Sequence, residues 1–280
     1  VAAPITLNSF YSIYGNGGSG PAQFSTNITT YIQVVNPNLN PVFHISGMKD
    51  IHLQNLLVFF ALGGNGDGIL IDGSSCCVTL DNVWTGRQGT FSGGTSLHIK
   101  GGSRYLITNG LYSGSGSSPS VLYESDEAQC GATGNLAMRD SVIAGNGIAL
   151  NLTCGIAGPF AFENILSEDA PGAFLTINES TSAQAWGISL KQVDMSDEFG
   201  PPYPSLLENH GTGTDGVQVF NPGIQTNPAT PIIAGDPVND LEIWSPFEYP
   251  VGQTTNYVFH GPGGIITTMP TSSAATAIHR

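Results

Sequence analysis

The fold is decided by Ile51–Asn55, which reads IHLQN, because the same five-residue phrase recurs along the chain. Each copy alternates apolar and polar residues and closes on Asn, Gln or Asp. Successive closing residues are 27, 27, 31, 24, 28 and 29 residues apart. A period in this range is typical of stacked supersecondary units. The copies are Ile51–Asn55 (IHLQN), Val78–Asn82 (VTLDN), Tyr105–Asn109 (YLITN), Leu136–Asp140 (LAMRD), Phe160–Asn164 (FAFEN), Ile188–Gln192 (ISLKQ) and Val217–Asn221 (VQVFN).

Alternation with a period of two predicts a β-strand in each copy. The apolar residues of a copy face the core, and we expect its closing residue to point inward as well, at a bend. A buried amide without a hydrogen bond costs about 1–3 kcal/mol. Stacked closing residues avoid this cost by bonding to one another. The predicted ladder consists of Asn55, Asn82, Asn109, Asp140, Asn164, Gln192 and Asn221.

Two further strand-like phrases accompany each copy. One precedes it, as in Ile69–Gly73 (ILIDG) and Leu97–Gly101 (LHIKG), and a shorter one follows it, as in Leu56–Phe60. Three short strands per coil predict a right-handed, single-stranded parallel β-helix with three sheets. The layout resembles the pectate-lyase-like and phage-tailspike-like superfamily, whose coils carry an asparagine ladder at the bend between their second and third strands. The resemblance covers about eight coils and implies a fold rather than a chemistry.

The repeat also predicts the division of the chain. Residues 41–247 form the β-helix. Residues 1–40 are expected to be an N-terminal cap or a first irregular coil, because an open solenoid end exposes unpaired strand edges. Residues 248–280 contain several prolines and no repeat, and they are interpreted as a C-terminal cap, tail or connector.

Composition limits the partners. The chain has 280 residues, a formal net charge of −14 and six histidines. This charge argues against nucleic acid and mildly against a strongly anionic glycan. No apolar run reaches the length of a membrane span, so we expect none. The histidines lack metal-ligand spacing, and GGNGDG at Gly63–Gly68 occurs once with Asp67 out of step for a calcium repeat, so we expect no metal and no cofactor.

The four cysteines bear on the cellular compartment of the protein. Cys130 and Cys154 each precede a closing residue, Asp140 and Asn164, by the same number of positions. They therefore occupy the same turn of successive coils, about 4.8 Å apart, and we predict a disulfide between them. A disulfide favours an extracellular, cell-surface or virion location. Cys76 and Cys77 are adjacent, and both a strained vicinal bridge and two buried thiols stay open.

The resemblance implies that function lies on the outer face of the first sheet. Taking Ile71, Ile99, Tyr123, Leu152 and Ile177 as inward, the outward column is Asp72, Lys100, Glu124, Thr153 and Asn178, with His98 beside Lys100. Asp72 and Glu124 lie two coils apart, about 9.6 Å. This is close to the separation of the acid and base in an inverting glycosidase. The alternative is an ordinary charge ladder in which Lys100 keeps both acids ionised.

Loops of unequal length favour one binding side. Several carry aromatic rings that suit the apolar faces of sugars, and the alternative is that these rings cover loop cores. Together with two amides of the first sheet, they form the predicted carbohydrate-binding set: Trp84, Phe91, Asn151, Asn178, Phe199 and Tyr203.

Two function classes remain. The first is a glycan-recognising, tailspike-like β-helix that binds a polysaccharide or cell-surface glycan, with hydrolase or lyase activity open. The second is a non-catalytic structural or adhesive module of a surface assembly or filament. The motifs of polygalacturonase-like hydrolases are absent apart from a faint echo at Asn209–Gly211 (NHG). The alternation predicts that Leu70, Leu122 and Leu206 face outward, which favours a covering partner such as a neighbouring domain or the mates of a trimer.

Overall fold

The structure is a computed structural model that describes residues 3–7, 12–15, 30–36, 38–60, 66–87, 93–114, 116–130, 132–168, 171–196, 205–220, 223–224, 233–236, 238–244, 258–260 and 266–268. Within these ranges the chain is all-β, with one short 3₁₀ helix at Glu127–Gln129. It winds into a parallel β-solenoid, which confirms the predicted fold class. The number of windings differs slightly from the predicted eight.

The first sheet stacks one strand from each winding. Its nine strands pair in parallel throughout, with a regular in-register ladder from one winding to the next. In order, they are Ile5–Leu7, Phe43–Ser46, Ile69–Asp72, Leu97–Lys100, Val121–Glu124, Ile148–Leu152, Leu175–Glu179, Leu207–His210 and Ile233–Gly235.

The other strands form a single hydrogen-bonded sheet of 15 strands rather than the two separate sheets expected from the sequence. The long strands of this sheet keep their pairing through the bend at the closing residue. The part of a winding before the bend (the second segment) and the part after it (the third segment) therefore belong to one strand. The strands are Ser12–Tyr14, Tyr31–Val34, Lys49–Phe60, Cys76–Arg87, Ser103–Thr108, Leu111–Ser113, Ala132–Ala144, Gly155–Ala157, Phe160–Glu168, Ala183–Ser196, Asp215–Phe220, Gly223–Ile224, Asn239–Trp244, Val258–His260 and Ile266–Thr268.

The bend between the second and third segments is made by the closing residue of each phrase. Every described closing residue has a positive φ, between 50° and 57°. A single left-handed residue turns the strand sharply, and Asn is among the few side chains that tolerate it. The pairing of Leu56 with Val83 on one side and of Gln54 with Asp81 on the other shows that Asn55 and Asn82 lie one above the other. Asn82 donates its amide to Asn55 Oδ1 at 2.8 Å.

The prediction that all closing side chains point into the core is wrong. Asn82 is buried, Asn55 and Asn109 are half-buried, and Asp140, Asn164 and Gln192 are exposed. The left-handed backbone explains this, because it breaks the strict alternation that would have turned the side chain inward. Asn164 still donates to Asp140 Oδ1 at 2.6 Å, whereas Asn109 donates to Asp81. Asn221 lies outside the described residues.

A second column of left-handed residues precedes most of the phrases, Phe160–Asn164 being the exception, and the sequence analysis did not find it. Each of these residues lies between two paired residues at the start of the second segment. Lys49 pairs with Cys76 and Ile51 pairs with Val78, for example, and the left-handed residues are the unpaired ones in between. Their identities vary, so no single residue type marks them in the sequence. The column consists of Asp50, Cys77, Arg104, Asn135, Gly187, Gly216 and Asp240, with φ between 49° and 69°.

One strand of the first sheet pairs two residues away from the predicted register. The sequence analysis placed Leu152 level with Tyr123, but the structure pairs Tyr123 with Leu150 and Glu124 with Asn151. Both leucines are buried. A shift of two residues keeps every side chain on its own face, so the alternation of the strand is the same in both registers.

The core is a continuous file of aliphatic and aromatic side chains inside the coils. Tyr123 and Phe160 meet edge to face at 5.1 Å between ring centroids, an arrangement favoured by the ring quadrupoles. Outside this core, Cys130 and Cys154 form the predicted disulfide, with 5.3 Å between their Cα atoms. It joins two successive windings, as their equal spacing from Asp140 and Asn164 indicated.

The first described residues already pair with the winding that follows them. Ile5–Leu7 pairs with Phe43–Ile45, and Ser12–Tyr14 pairs with His52–Gln54, both in parallel. At the other end, Val258–His260 and Ile266–Thr268 pair with each other antiparallel. The solenoid pairing thus extends into the segment predicted as a cap or first coil.

Candidate functional site

A polar groove of about 650 Å³ lies along the ends of the first-sheet strands. Its floor is an outward column, and its wall is the loop that follows Glu124. Nine of its eleven lining residues carry a hydroxyl, carboxylate, amide or ammonium group. The lining consists of Ser46, Asp72, Gly73, Lys100, Glu124, Ser125, Asp126, Glu127, Ala128, Asn151 and Thr153.

The floor follows from the strand register. Ser46 pairs with Asp72, Glu124 pairs with Lys100, and Glu124 also pairs with Asn151. Equivalent residues of a parallel ladder lie about 4.8 Å apart on the same face. The structure therefore brings together the predicted Asp72, Lys100 and Glu124, and Asn151 takes the place in the column that the sequence analysis gave to Thr153.

The wall is held against the floor by a glycine. Gly101 has a φ of +63°, and a Cβ there would lie 2.5 Å from the Cβ of Asp126. Only glycine allows this close approach at that φ without strain. Asp126 then caps the short helix by accepting a hydrogen bond from the amide of Ala128 at 3.0 Å. The loop of Ser125–Ala128 is thereby fixed beside Glu124.

His98 lies beside this floor, on the same face of its strand as Lys100, and bridges two carboxylates. Its Nδ1 is 2.8 Å from Asp67 Oδ2, and its Nε2 is 2.8 Å from Glu124 Oε2. Both ring nitrogens can donate only when the imidazole is protonated. Burial opposes that charge, but the hydrogen bonds to Asp67 and Glu124 outweigh it and raise the pKa of His98 to about 9. His98 is therefore an imidazolium at neutral pH.

The two predicted catalytic carboxyl groups are both ionised. The hydrogen bond from His98, opposed by burial and supported by Lys100, lowers the pKa of Glu124. Burial alone would raise the pKa of Asp72, but hydrogen bonds from Ser46 and His44 and the charge of His44 outweigh it and lower this pKa. His44 Nε2 lies 2.9 Å from Asp72 Oδ2.

These protonation states bear on the predicted catalytic role of Asp72, Glu124, His98 and Lys100. A glycosidase needs one carboxyl group with a raised pKa as its general acid. Neither Asp72 nor Glu124 meets this condition, because each has a cationic neighbour. A protonated His98 is not a general base at neutral pH. The constellation is arranged to present fixed charges and hydrogen-bond acceptors.

Asp67 is the member of this cluster that the sequence analysis missed as a site residue. It was interpreted as part of a glycine loop between coils. Its carboxylate accepts from the backbone amide of Thr95 at 3.0 Å as well as from His98. The signal that was present is the position of Asp67 just before the strand Ile69–Asp72.

The predicted carbohydrate-binding residues fall into three groups. Asn151 lines the groove, and its Oδ1 accepts a hydrogen bond from Asn178 Nδ2 at 2.8 Å on the next winding. Trp84 belongs to a third segment, where its indole donates to the carbonyl of Asn109 at 3.2 Å, and it does not line the groove. Phe91, Phe199 and Tyr203 lie outside the described residues.

The outward column of the second segment is a separate ion-pair ladder. Glu163 accepts from Lys191 and lies 3.4 Å from Arg139 Nε, and the hydrogen bond from Lys191 lowers the pKa of Glu163. These side chains are substantially exposed, so the pairs contribute little to stability. Glu163 is thus a surface carboxylate outside the groove, with which Asp72 and Glu124 can be compared.

Two of the leucines that favoured a covering partner are buried. Leu206 is fully buried, because Leu207 and not Leu206 pairs with Leu175, which shifts the outward position to Glu208. Leu122 is 9% exposed and lies between His98 and Ala149 on adjacent strands. Of the three leucines, only Leu70 is partly exposed, so the prediction of a covering partner on this face now rests on Leu70. Asn209 is also buried and bonds to Gly211 and Asp236, so it has a structural role.

Within the described ranges, no helix is long and apolar enough to cross a membrane. The same residues contain no cluster of three or more His, Cys, Asp or Glu side chains suited to a metal ion. No family model, no curated protein and no solved structure matches the chain. The site is therefore interpreted from its own geometry.

Proposed function

We propose that this β-solenoid binds a polysaccharide or cell-surface glycan in the groove over its first sheet, without cleaving it. The observation that carries the proposal is the fixed polar column Asp72–Lys100–Glu124–Asn151 beside the wall loop. Glycan hydroxyl groups both donate and accept hydrogen bonds, and this column offers both kinds of partner. A groove of about 650 Å³ is of the size that holds a small ligand or a few units of a polymer.

The charge of the groove favours a neutral glycan. Asp72, Glu124, Asp126 and Glu127 face a single lining cation, Lys100. A polyuronate or a sulfated glycan would bring further negative charge to four carboxylates and to a chain of net charge −14. Neutral sugar hydroxyl groups meet no such repulsion.

We further propose that the protein belongs with the pectate-lyase-like and tailspike-like β-helices and acts outside the cell, at a cell surface or on a virion. The parallel solenoid and the asparagine corner support the first part. The bridge between Cys130 and Cys154 supports the second, because disulfides persist in oxidising compartments.

A glycan array followed by calorimetry with the best neutral oligosaccharide tests the proposal. We expect Asp72→Asn and Glu124→Gln to weaken binding about tenfold or more, because each replaces an ionised acceptor, and hydrogen bonds to charged groups contribute about 1.5–3 kcal/mol. Lys100→Met tests the cationic part of the same column. Glu163→Gln, on the second segment, is the matched control and should bind like the unchanged protein.

Three outcomes separate the alternatives. Retention of neutral glycans with no new reducing ends supports recognition without cleavage. New reducing ends that disappear in both carboxylate variants would show a hydrolase or lyase instead. If no glycan is retained at millimolar concentration, the protein is a structural or adhesive module. If the groove variants bind as well as Glu163→Gln, the glycan is held outside the groove and the assigned site is wrong.

A further inference from the structure

We propose that Cys76 and Cys77 form a redox-active vicinal dithiol. A low-molecular-weight disulfide oxidises it to a Cys76–Cys77 disulfide, which closes a ring between the two neighbouring residues. The two cysteines are free in the structure, and their sulfur atoms lie 3.0 Å apart. Both side chains are half-buried, so small reagents have access to them. The proposal is independent of glycan binding.

The closeness of the sulfur atoms follows from the backbone. In an extended strand, neighbouring side chains point to opposite faces, which would hold the two sulfur atoms apart. Cys77 lies in the left-handed column at the start of the second segment, with a φ of 61°. This conformation breaks the alternation and turns both thiols to the same side. The left-handed position recurs from winding to winding, so the juxtaposition follows from the geometry of the coil wherever two cysteines occupy it.

The surrounding residues hold this geometry in place. The amide of Cys76 donates to the carbonyl of Met48 at 2.9 Å on the preceding winding, and Cys76 pairs with Lys49 and Ser103. The pair directly follows Ser75, whose hydroxyl donates to Asp72 O at 2.7 Å. The dithiol is therefore fixed at both flanks and lies at the corner that follows the groove.

The surroundings of Cys76 raise the affinity of its thiol for a proton. The hydrogen bond with Cys77, then burial and the charge of Cys77, raise the pKa of Cys76. The raised pKa disfavours the Cys76 thiolate, so we assign the first attack to the neighbouring sulfur of Cys77. The thiolate is the nucleophile in thiol–disulfide exchange.

The exchange is balanced without any further reactant. The Cys77 thiolate attacks one sulfur of the small disulfide, forms a mixed disulfide and releases one small thiol. The Cys76 sulfur then loses its proton and attacks Cys77 Sγ, which forms the Cys76–Cys77 bond and releases the second small thiol. Two electrons and the two cysteine protons pass to the oxidant, which is reduced to two thiols.

The ring should be easier to reduce than the other disulfide of the chain. Neighbouring Cα atoms lie about 3.8 Å apart, below the usual range of about 4.4–6.8 Å for disulfides. Cys130 and Cys154 lie within that range, at 5.3 Å. Departure from the usual geometry makes a disulfide more reducible. The chain thus carries one structural bridge and one that opens and closes at milder potentials.

The test is a redox titration of the folded chain with mixtures of reduced and oxidised glutathione. Each sample is quenched in acid, alkylated, digested and analysed by mass spectrometry. We expect the peptide with Cys76 and Cys77 to pass from two alkyl groups to none, with the loss of two hydrogen atoms. Cys130–Cys154 should stay oxidised over that part of the titration.

The matched control is Cys77→Asn, because Asn135 already occupies the same left-handed column and asparagine tolerates that backbone. This variant should fold but form no ring. As a second probe, phenylarsine oxide requires two adjacent thiols and should bind to the reduced chain about once, and to neither Cys77→Asn nor the oxidised chain. Independent alkylation of both cysteines throughout the titration, a disulfide between chains, or no retention of the arsenoxide would overturn the proposal.

Discussion

At the residue scale, the fold depends on single positions that accept a left-handed backbone. Each long strand turns at one residue with positive φ, and Asn55, Asn82 and Asn109 supply it with side chains that also bond across windings. Most other residues pay about 1–2 kcal/mol for this conformation. The amide and the backbone therefore contribute separately to the preference for asparagine.

Asn82 allows these two contributions to be measured. Asn82→Ala should destabilise the protein by about 2–3 kcal/mol, of which about 1–2 is backbone strain and about 1 is the hydrogen bond to Asn55. Asn82→Gly removes the bond but not the left-handed preference, so it should cost less than Asn82→Ala. Urea unfolding of the three proteins gives the values. Equal losses in both variants would show that the backbone conformation is not a cause of the preference.

At the element scale, the first sheet is joined by side chains as well as by its backbone ladder. His98 connects Asp67 to Glu124 through two charged hydrogen bonds. Asp67 precedes the strand Ile69–Asp72, and Glu124 ends the strand Val121–Glu124. Hydrogen bonds of this kind are about twice as strong as neutral ones. The bridge holds the Glu124 carboxylate in the groove floor, and it makes the stability of this sheet dependent on pH.

The folded pKa of His98, about 9, lies above its ordinary value of 6.5. Its contribution is therefore fully present below pH 6.5 and is lost as the pH rises through about 9. This rise in the pKa of His98 on folding corresponds to about 3 kcal/mol of stability. We expect the unfolding free energy to fall by about this amount more in the unchanged protein than in His98→Gln between pH 6 and pH 10.

His44→Gln is the control for this pH dependence, since His44 pairs with Asp72 on the same face but is more exposed. Denaturant unfolding at both pH values, checked by circular dichroism, measures the effect. A pH slope in His98→Gln that equals that of the unchanged protein would show that the bridge does not carry it. Glu124 acts in the opposite direction, because its lowered pKa gives stability that is lost at acid pH.

At the scale of the whole molecule, each winding contacts chiefly its two neighbours. Stability is then close to a sum of windings and of the interfaces between them. The disulfide between Cys130 and Cys154 spans one such interface, with a sequence separation of 24 residues. It ties together the two windings on which the groove wall and Asn151 lie.

Removing this disulfide should destabilise the protein by about 3 kcal/mol, because the open chain gains the entropy that the closed loop lacked. The double variant Cys130→Ser with Cys154→Ser should show a lower urea midpoint than the unchanged protein. Strong reductant should bring the unchanged protein to the same midpoint. If the double variant and the unchanged protein unfold alike under oxidising conditions, the bridge does not stabilise the fold.

The sequence by itself determined the solenoid. Its period places one strand phrase per winding, alternation assigns each side chain to a face, and the closing Asn55, Asn82 and Asn109 mark the corner. The disulfide followed from equal spacing on successive windings. These are local or periodic properties, so neighbouring residues and the repeat carry them.

Only the tertiary structure decided the register and the contacts. Alternation is unchanged by a shift of two residues, so the strand Ile148–Leu152 gave no means of choosing between Asn151 and Thr153 as the neighbour of Glu124. Asp67 reaches His98 across 31 positions, and the backbone at Cys77 turns left-handed in a column without a residue signature. Such features depend on how windings of unequal length are aligned, which is settled by the packing of the whole solenoid.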